Sequence, residues 1–451
     1  MKRLALTISL FATAVFAQAA PTAETVPIAT PTGAKDTAIW VHPTQPALSL
    51  VFGTDQFGAS GLFAYGLNGA QRQQLLIGNT VGVDVRYGVP VDNFTTDVLL
   101  AAKSDGTFLL YSVDAVSGIL APIDVGPAAT GSTINAAALY FSPRTRVLMV
   151  LIADTTGKLR MYRATGNGAG KLTTQLVRTH TFDAPVQGLV ADDRGERVFL
   201  TLENKGLFVL QAEVAGTPAP LVVDSIDAGR IAGASGVALY FTADAGGYVL
   251  VSSSANSRFP VYSLGAGFPF VTAFNVVASD AGISGAINTR GIEVTQRPLG
   301  ASFPQGLFVA HDEGRTNYKL VRWEDIARVP TVPLAVDPRV DPRTWTSAID
   351  AGADAGRTDA GPPCVVPTPD GGDAGPSDGG DAGACVGGTG GGSGGGSGGF
   401  GAGLGGGVPP VGGGGGEGLD SNGCHCSQPG LLFPLAALVW LWRRRRNDLQ
   451  G

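Results

Sequence analysis

A cation and a carboxylate lie close together in the stretch GAINTRGIEV, residues 285–294. Arg290 stands where a glycine-rich turn leads into a short strand-like run, and Glu293 follows within that run. A guanidinium binds anions, whereas a carboxylate binds a metal ion or takes up a proton. The pair is therefore a candidate for the rim of an active site, or for a rim that has lost its chemistry.

Three other patterns resemble known chemistry only in part. His311 stands beside Asp312, but no nucleophile pattern accompanies this pair, so a histidine at a strand end is the preferred interpretation. Residues 391–395, GGSGG, match the G-x-S-x-G nucleophile elbow in letters only, because no strand precedes them and no helix follows. In GCHCS, Cys424 and Cys426 flank a histidine, but three adjacent residues cannot close a tetrahedral metal site alone.

Length and composition decide how much of the chain can fold. Within the 451 residues, the segment 346–423 is nearly free of large apolar side chains. Such a segment cannot bury enough surface to offset its ordering entropy, so we predict a disordered linker rich in Asp, Ala and Gly. The foldable part is then about 20–345, which suffices for one large core. The net charge of −6 argues against a nucleic-acid partner and does not exclude small anionic substrates.

The N-terminus has the three parts of a secretory signal peptide. A basic start, an apolar run and the small-residue cleavage site Ala17-Gln18-Ala19 follow one another in that order. The sequence thus predicts a signal peptide over residues 1–19 and a secreted protein. Cys364 and Cys385 bracket a stretch rich in Asp, Gly and Pro and are candidates for a disulfide formed after export.

The C-terminus combines a cysteine pair, a short apolar segment and an arginine cluster. Leu431–Trp442 is short for a membrane-spanning helix, and Arg443–Arg446 would stay on the cytoplasmic side. This combination after a glycine-rich spacer resembles the C-terminal sorting signal of myxobacteria. The resemblance implies that sorting machinery processes residues 424–451 near Cys424 or Cys426 and displays the protein at the cell surface or outer membrane. An ordinary C-terminal membrane anchor is the alternative, and no other segment is expected to contact a membrane.

Three strand-like phrases recur in fixed order between residues 24 and 330. In the first unit they are AIWVHP at 38–43, LVFGTD at 50–55 and GLFAY at 61–65. Each phrase is short, rich in Val, Leu, Phe and Tyr, and bounded by turn residues, which is typical of strands. Six such units, most with a weaker fourth strand, predict an all-β, six-bladed β-propeller. The sixth unit lacks its fourth strand, and we expect Val26–Thr30 to supply it and close the ring.

Several of these phrases resemble those of the secreted β-propeller phytases. They are DTAIWVHP at 36–43, GVDVRYGVP at 82–90, QGLVADDRG at 187–195, and QGLFVAHDE with NYKLVRWEDIA at 305–327. The resemblance covers most of the foldable part, in order and in the same blades. It implies the activity of a calcium-dependent 3-phytase, in which calcium ions at the channel mouth bind phytate, neutralise it and activate water.

The resemblance also assigns the positions of calcium ligands, and several of them are changed. Gly82, Gln187, Ser235 and Arg290 stand where the family has oxygen ligands, namely an Asn, two Glu and an Asp. A guanidinium cannot ligate a cation and repels one. Among these four residues, Gln187 alone keeps a carbonyl oxygen.

Other acids of the family are retained. Asp36, Glu203 and Asp312 align with family acids and, together with Gln187, are the candidates for a reduced calcium site with few ions or none. The basic residues near the channel mouth are the candidates for anion binding: Lys103, Arg290 and Arg315.

Two classes of function follow. The first is a phytase-like phosphomonoester hydrolase of the cell surface, acting on phytate or a related phosphate ester with fewer calcium ions. The second is a non-catalytic propeller that binds an anion or a partner, because acids of the rim are exchanged for neutral or basic residues. A calcium-dependent lactonase-type propeller is a third option. We further expect Arg290 to pair with Asp36 or Glu293 in the space that calcium occupies in the family.

Overall fold

The computed structural model describes residues 17–58, 60–213, 219–330 and 333–344. Within these ranges 26 strands form six sheets, so the predicted six-bladed, all-β propeller is confirmed. The predicted linker and sorting signal lie outside the described residues, as do all four cysteines. In the described ranges no helix is long and apolar enough to cross a membrane.

The chain begins with two short strands and then builds three blades, each from the axis outwards. The first two strands are β1 (Ala17–Ala19) and β2 (Ala23–Glu24). Blade one contains β3 (Ala34–Trp40), β4 (Leu50–Asp55), β5 (Gly61–Gly66) and β6 (Gln71–Leu75). Blade two contains β7 (Thr80–Val91), β8 (Phe94–Lys103), β9 (Thr107–Val113), β10 (Leu120–Pro122) and β11 (Ala128–Ala129). Blade three contains β12 (Ile134–Phe141), β13 (Leu148–Asp154), β14 (Lys158–Gly166) and β15 (Leu172–Thr181).

The other three blades complete the ring in the same way. Blade four contains β16 (Val186–Asp192), β17 (Arg197–Leu202), β18 (Gly206–Gln211) and β19 (Leu221–Ser225). Blade five contains β20 (Ala234–Phe241), β21 (Gly247–Ser253), β22 (Phe259–Ser263) and β23 (Phe270–Val276). Blade six contains β24 (Ile292–Thr295), β25 (Leu307–Asp312) and β26 (Asn317–Arg322), which the short helix α1 (Trp323–Ala327) follows. Single-turn 3₁₀-helices occupy Pro46–Leu48, Ile226–Ala228 and Ser254–Asn256.

The two N-terminal strands join the last two blades. β2 pairs antiparallel with β26 and is the fourth strand of blade six. The predicted position of that strand, Val26–Thr30, is wrong, because the structure has no strand there. Pro27 has no N–H group to donate and interrupts the ladder, although the Ile28 N–H still donates to the Thr316 carbonyl at 2.9 Å. β1, which is the predicted cleavage site, pairs in parallel with β23, so cleavage after Ala19 would remove this strand from blade five.

The core lies between neighbouring blades. Each blade is packed on both faces, so its central strands are apolar along their whole length rather than alternating. β13 shows this, since LMVLIAD is buried throughout. Trp40 is buried where blade one meets blade two, and its indole N–H donates to Asp97 at 2.7 Å. An apolar cluster of this kind fills each of the six junctions between neighbouring blades.

The described chain ends in a segment that we call the C-terminal strap, residues 333–344. The Asp337 N–H donates to the Tyr240 hydroxyl at 2.7 Å, which fastens the strap to blade five. Arg343 donates to both carboxylate oxygens of Asp97, at 2.7 and 2.9 Å, which fastens it to blade two. Between these anchors, Pro342 lines the channel where the innermost strands end. The strap thus spans one end of the channel.

Candidate functional site

The innermost strands of all six blades start around the other end of the channel. We call the polar residues there the channel rim, and they are Lys35, Asp36, Asn135, Gln187, Ser235 and Arg290. Parallel alignment of the six strands brings residues from the same position of each repeat together, as the sequence predicts. Arg290, in the stretch GAINTRGIEV, therefore belongs to the channel rim.

Glycines let the blades approach closely at this rim. The Gly236 N–H donates to the Arg290 carbonyl at 3.0 Å, and the Gly291 N–H donates to the Lys35 carbonyl at 2.9 Å. A Cβ atom on Gly236 would lie 2.2 Å from the Arg290 carbonyl oxygen, closer than any side chain permits. Blades five, six and one are thus joined backbone to backbone, and the backbone of Arg290 is fixed between them.

His311 fixes the backbone of Arg290 from the other side. Its Nδ1 accepts a hydrogen bond from the Arg290 N–H at 3.1 Å, and the ring is fully buried in β25. Burial, together with the charge of Arg290, lowers the pKa of His311 to about 3. The neutral ring is therefore an acceptor that positions Arg290, which agrees with the interpretation of His311 as a structural histidine.

The expected ion pair between Arg290 and Asp36 or Glu293 does not form. Within the described ranges Arg290 has no ion pair with any carboxylate. Asp36 Oδ2 accepts from the Val83 N–H of the next blade at 3.0 Å, and Glu293 Oε1 accepts from the adjacent Val294 N–H at 2.8 Å. The prediction was wrong, because these carboxylates bond to backbone N–H groups of the channel wall and not to Arg290.

Arg86 is the cation that pairs with acids inside the channel. Its guanidinium lies 3.0 Å from Asp84 and 2.9 Å from Asp193. Asp84 also accepts from the Leu139 N–H at 2.7 Å and so bridges blades two and three. Burial raises the pKa of Asp193 to about 7, although Arg86 opposes this shift. Asp84 and Asp193 are thus bound to Arg86 within the channel wall, and Asp84 also bonds to a backbone N–H of the next blade.

The raised pKa of Glu293 predicts that stability depends on pH. Burial, with the charge of Asp84, raises the pKa of Glu293 from 4.5 to about 8. Between these values the folded protein keeps a proton that the unfolded chain has released, so the free energy of unfolding falls as the pH rises through this window. Glu293→Gln is expected to make this fall shallower. Denaturant unfolding of both proteins at about pH 5 and about pH 8 checks this, and identical pH slopes would contradict it.

The four candidate calcium ligands do not come together. Gln187 lines the channel mouth with Asp36 and also lines a cleft beside the rim with Glu203, but Asp36 does not line that cleft and Glu203 does not line the mouth. Asp312 is only 1% exposed, and its Oδ2 lies 3.1 Å from Nζ of Lys319, a cation from the neighbouring strand. The structure therefore assigns Asp312 to an ion pair in blade six.

Of the three candidate anion-binding residues, Arg290 alone lies on the channel rim. Lys103 pairs with Asp105 at 2.7 Å and does not line the rim. Arg315 is exposed and lies outside both the rim and the adjoining cleft. Cys424 and Cys426 fall beyond the described residues, so their expected processing stays a prediction.

A second cation of the rim, Lys35, was not among the candidates. Its ammonium is buried and donates to the Asn135 carbonyl at 2.7 Å. Burial lowers the pKa of Lys35 to about 8, and the nearby Arg290 acts in the same direction, whereas Asp36 opposes it. The rim therefore carries two cations, Lys35 and Arg290, which come from the neighbouring blades one and six.

These residues do not fit a calcium cluster. A calcium ion requires about six to eight oxygen ligands. Among the residues that the structure describes, no group of three or more His, Cys, Asp or Glu is arranged to hold a metal ion. The charges of Lys35 and Arg290 would also repel a cation at the rim.

Beside the rim lies a second opening of about 330 Å³ between blades four, five and six. We call it the rim cleft. Its polar lining consists of Gln187, Glu203, Asn204, Ser235, Ser254, Asn288, Arg290 and Glu313. Arg290 and Gln187 belong to both openings, so a ligand in the rim cleft contacts the channel rim.

Comparison with known proteins gives clear sequence matches. The sequence profile of the family described as Phytase matches residues 5–347. The 3-phytase of Bacillus subtilis (strain 168) is 30% identical over 336 residues, which are 70% of this chain and 87% of that protein.

Two solved structures match at low identity. A crystal structure of BBS1N in complex with ARL6DN has a TM-score of 0.40 at 13% identity and covers 67% of this chain and 79% of that one. A β-propeller domain from Myceliophteria thermophila has a TM-score of 0.38 at 10% identity, covering 63% and 96%. At these TM-scores, neither structure indicates which residues form the site.

Proposed function

The chain belongs to the phytase family, and we propose that its channel rim binds phosphate esters, namely phytate or a related compound. Family membership rests on the profile match over residues 5–347 and on the 30% identity to the 3-phytase. The observation that carries the proposal is Arg290, a guanidinium on the rim that no described carboxylate neutralises. A guanidinium in this situation is a strong phosphate ligand.

Lys35 adds a positive charge to the rim, and Asp36 adds a proton acceptor. Lys35 supplies a second positive charge on the same rim as Arg290. Burial raises the pKa of Asp36 to about 7, so near neutral pH its carboxylate takes up a proton readily. In slow hydrolysis the two cations bind the phosphate, and Asp36 takes a proton from the water whose oxygen forms the new bond to phosphorus. The bond from phosphorus to the ester oxygen breaks, and the released alcohol takes up the proton that Asp36 holds. No step of this reaction uses calcium.

The second candidate is binding without hydrolysis. Relatives of this family use calcium to activate the attacking water. Among the described residues, no group of three or more His, Cys, Asp or Glu is arranged to hold a metal ion, and this favours binding without hydrolysis. The two candidates share the ligand and differ only in turnover.

The test is phosphate release from phytate by the full chain, in calcium and in a chelator, beside the Bacillus subtilis 3-phytase. Loss of a preorganised electrostatic stabiliser costs about 10²–10³-fold in rate. We therefore expect release at least about 10²-fold slower than from the 3-phytase in calcium, with little difference between the two buffers. Strong calcium-dependent release would contradict this reading of the rim and support the ordinary activity of the family.

We also propose that the protein is secreted and displayed at the cell surface. Support comes from the signal-peptide pattern over residues 1–19 and from the cysteine pair, apolar segment and arginine cluster of residues 424–451. Mass spectrometry of the mature protein is expected to show a new C-terminus near Cys424 or Cys426. Recovery of peptides that contain Arg443–Arg446 would instead support an ordinary membrane anchor.

A further inference from the structure

The rim cleft has a lining whose charges and hydrogen-bonding groups define a ligand. Glu203 and Asn204 come from the turn between β17 and β18, and Glu313 comes from the turn after β25. Asn288 and Arg290 lie on the segment that leads into β24. Its volume of about 330 Å³ is enough for one ring-sized ligand.

The side chains of this lining are available to a ligand. Arg290, Glu203, Asn204, Asn288 and Glu313 make no side-chain hydrogen bond or ion pair with the described residues. Gln187 accepts from Asn135 at 3.2 Å, and so its amide is held in place on the rim side. The cleft therefore presents one free guanidinium, two free carboxylates and two free amides.

The charge of the rim cleft disfavours a densely phosphorylated ligand there. The lining contains one cation, Arg290, and two carboxylates, those of Glu203 and Glu313, so its net charge is negative. A ligand with many phosphates would place several of them beside these carboxylates, and like charges so close together repel one another. Calcium would relieve this repulsion, but the described residues provide no cluster to hold it.

We infer that the rim cleft binds a polyol or sugar that carries a single phosphate. Its phosphate takes two hydrogen bonds from Arg290. Its hydroxyl groups donate to Glu203 and Glu313 and exchange hydrogen bonds with the amides of Asn204 and Asn288. This inference rests on the proposed function and narrows its substrate class from phosphate esters in general to sparsely phosphorylated ones.

The test compares two ligands by calorimetry on the full chain in a chelating buffer. The probes are myo-inositol 1-phosphate and inositol hexakisphosphate. We expect the monophosphate to bind at least about 10-fold more tightly. Arg290→Gln is expected to weaken monophosphate binding by about 10-fold or more, whereas Lys158→Gln, which removes an exposed cation from blade three, is expected to leave it unchanged.

A second variant tests the charge argument independently of Arg290. Glu203→Lys changes an exposed residue and reverses the net charge of the lining. It is expected to tighten binding of inositol hexakisphosphate by about 10-fold. No change in that affinity would overturn the inference, as would monophosphate binding that is insensitive to Arg290→Gln.

The outcomes separate this inference from the proposed function. If the unmodified chain binds inositol hexakisphosphate more tightly than the monophosphate in chelator, the substrate class is wrong and the proposed function stands. If neither compound binds, with or without calcium, both are wrong.

Discussion

Lys319→Met is expected to lower the free energy of unfolding by about 3–5 kcal/mol. The Lys319 side chain is fully buried and contacts three partners, namely the Glu24 carboxylate, Asp312 at 3.1 Å and Ser284 Oγ at 2.9 Å. Asp312 is itself buried, so removal of the ammonium leaves an uncompensated charge in the core of blade six. The variant also releases Glu24, the strand partner of Lys319 in β2.

Lys205→Met is the matched control for this prediction. Lys205 pairs with Asp183 at 2.5 Å, but both side chains are well exposed, and such pairs contribute about 0–1 kcal/mol. Denaturant unfolding of the two variants and the unmodified chain measures the difference. Equal stabilities for the two variants would show that the buried pair is not what holds β2 against blade six.

The second large effect is a gain of calcium binding. The combined variant Arg290→Asp, Gln187→Glu and Ser235→Glu returns three carboxylates to one rim and removes a cation from it. All three side chains line the same channel mouth, and all three also line the rim cleft. Calcium that binds the folded state raises stability by about 2.7 kcal/mol at a concentration of 100 times its Kd.

Thermal unfolding with and without millimolar calcium measures this gain. The unmodified chain is expected to show little calcium-dependent change, because its rim carries Lys35 and Arg290. The single variant Arg290→Gln controls for simple removal of the positive charge. A strong calcium response in the unmodified chain, or none in the combined variant, would show that these positions do not control metal binding.

Much of the fold follows from the sequence, because strands packed on both faces are continuous apolar runs and turns are marked by small polar residues. The repeat places every innermost strand, and thereby the channel rim. The fourth strand of blade six was misplaced. Val26–Thr30 has the apolar residues of a strand, but Pro27 interrupts the ladder, and the short β2 pairs instead. Apolar pattern alone does not show which backbone N–H groups find a partner.

The site was harder to predict than the fold. The position of Arg290 on the rim followed from the repeat, but its pairing did not. Asp36 accepts from the Val83 N–H of the next blade, which depends on the distance between blades, and Glu293 accepts from the N–H of its own neighbour Val294, which depends on its rotamer. The role of Arg86 could have been found, because Asp84 and Arg86 are two residues apart in β7 and therefore point to the same side of that strand.

The C-terminal strap has a consequence for how the protein meets its surroundings. Arg343 and Asp337 fasten the strap across the end of the channel that Pro342 lines, and the rim opens at the other end. The described chain therefore ends on the side of the channel away from the rim. Immobilising the protein through this end on a support should leave the rim uncovered for added solutes.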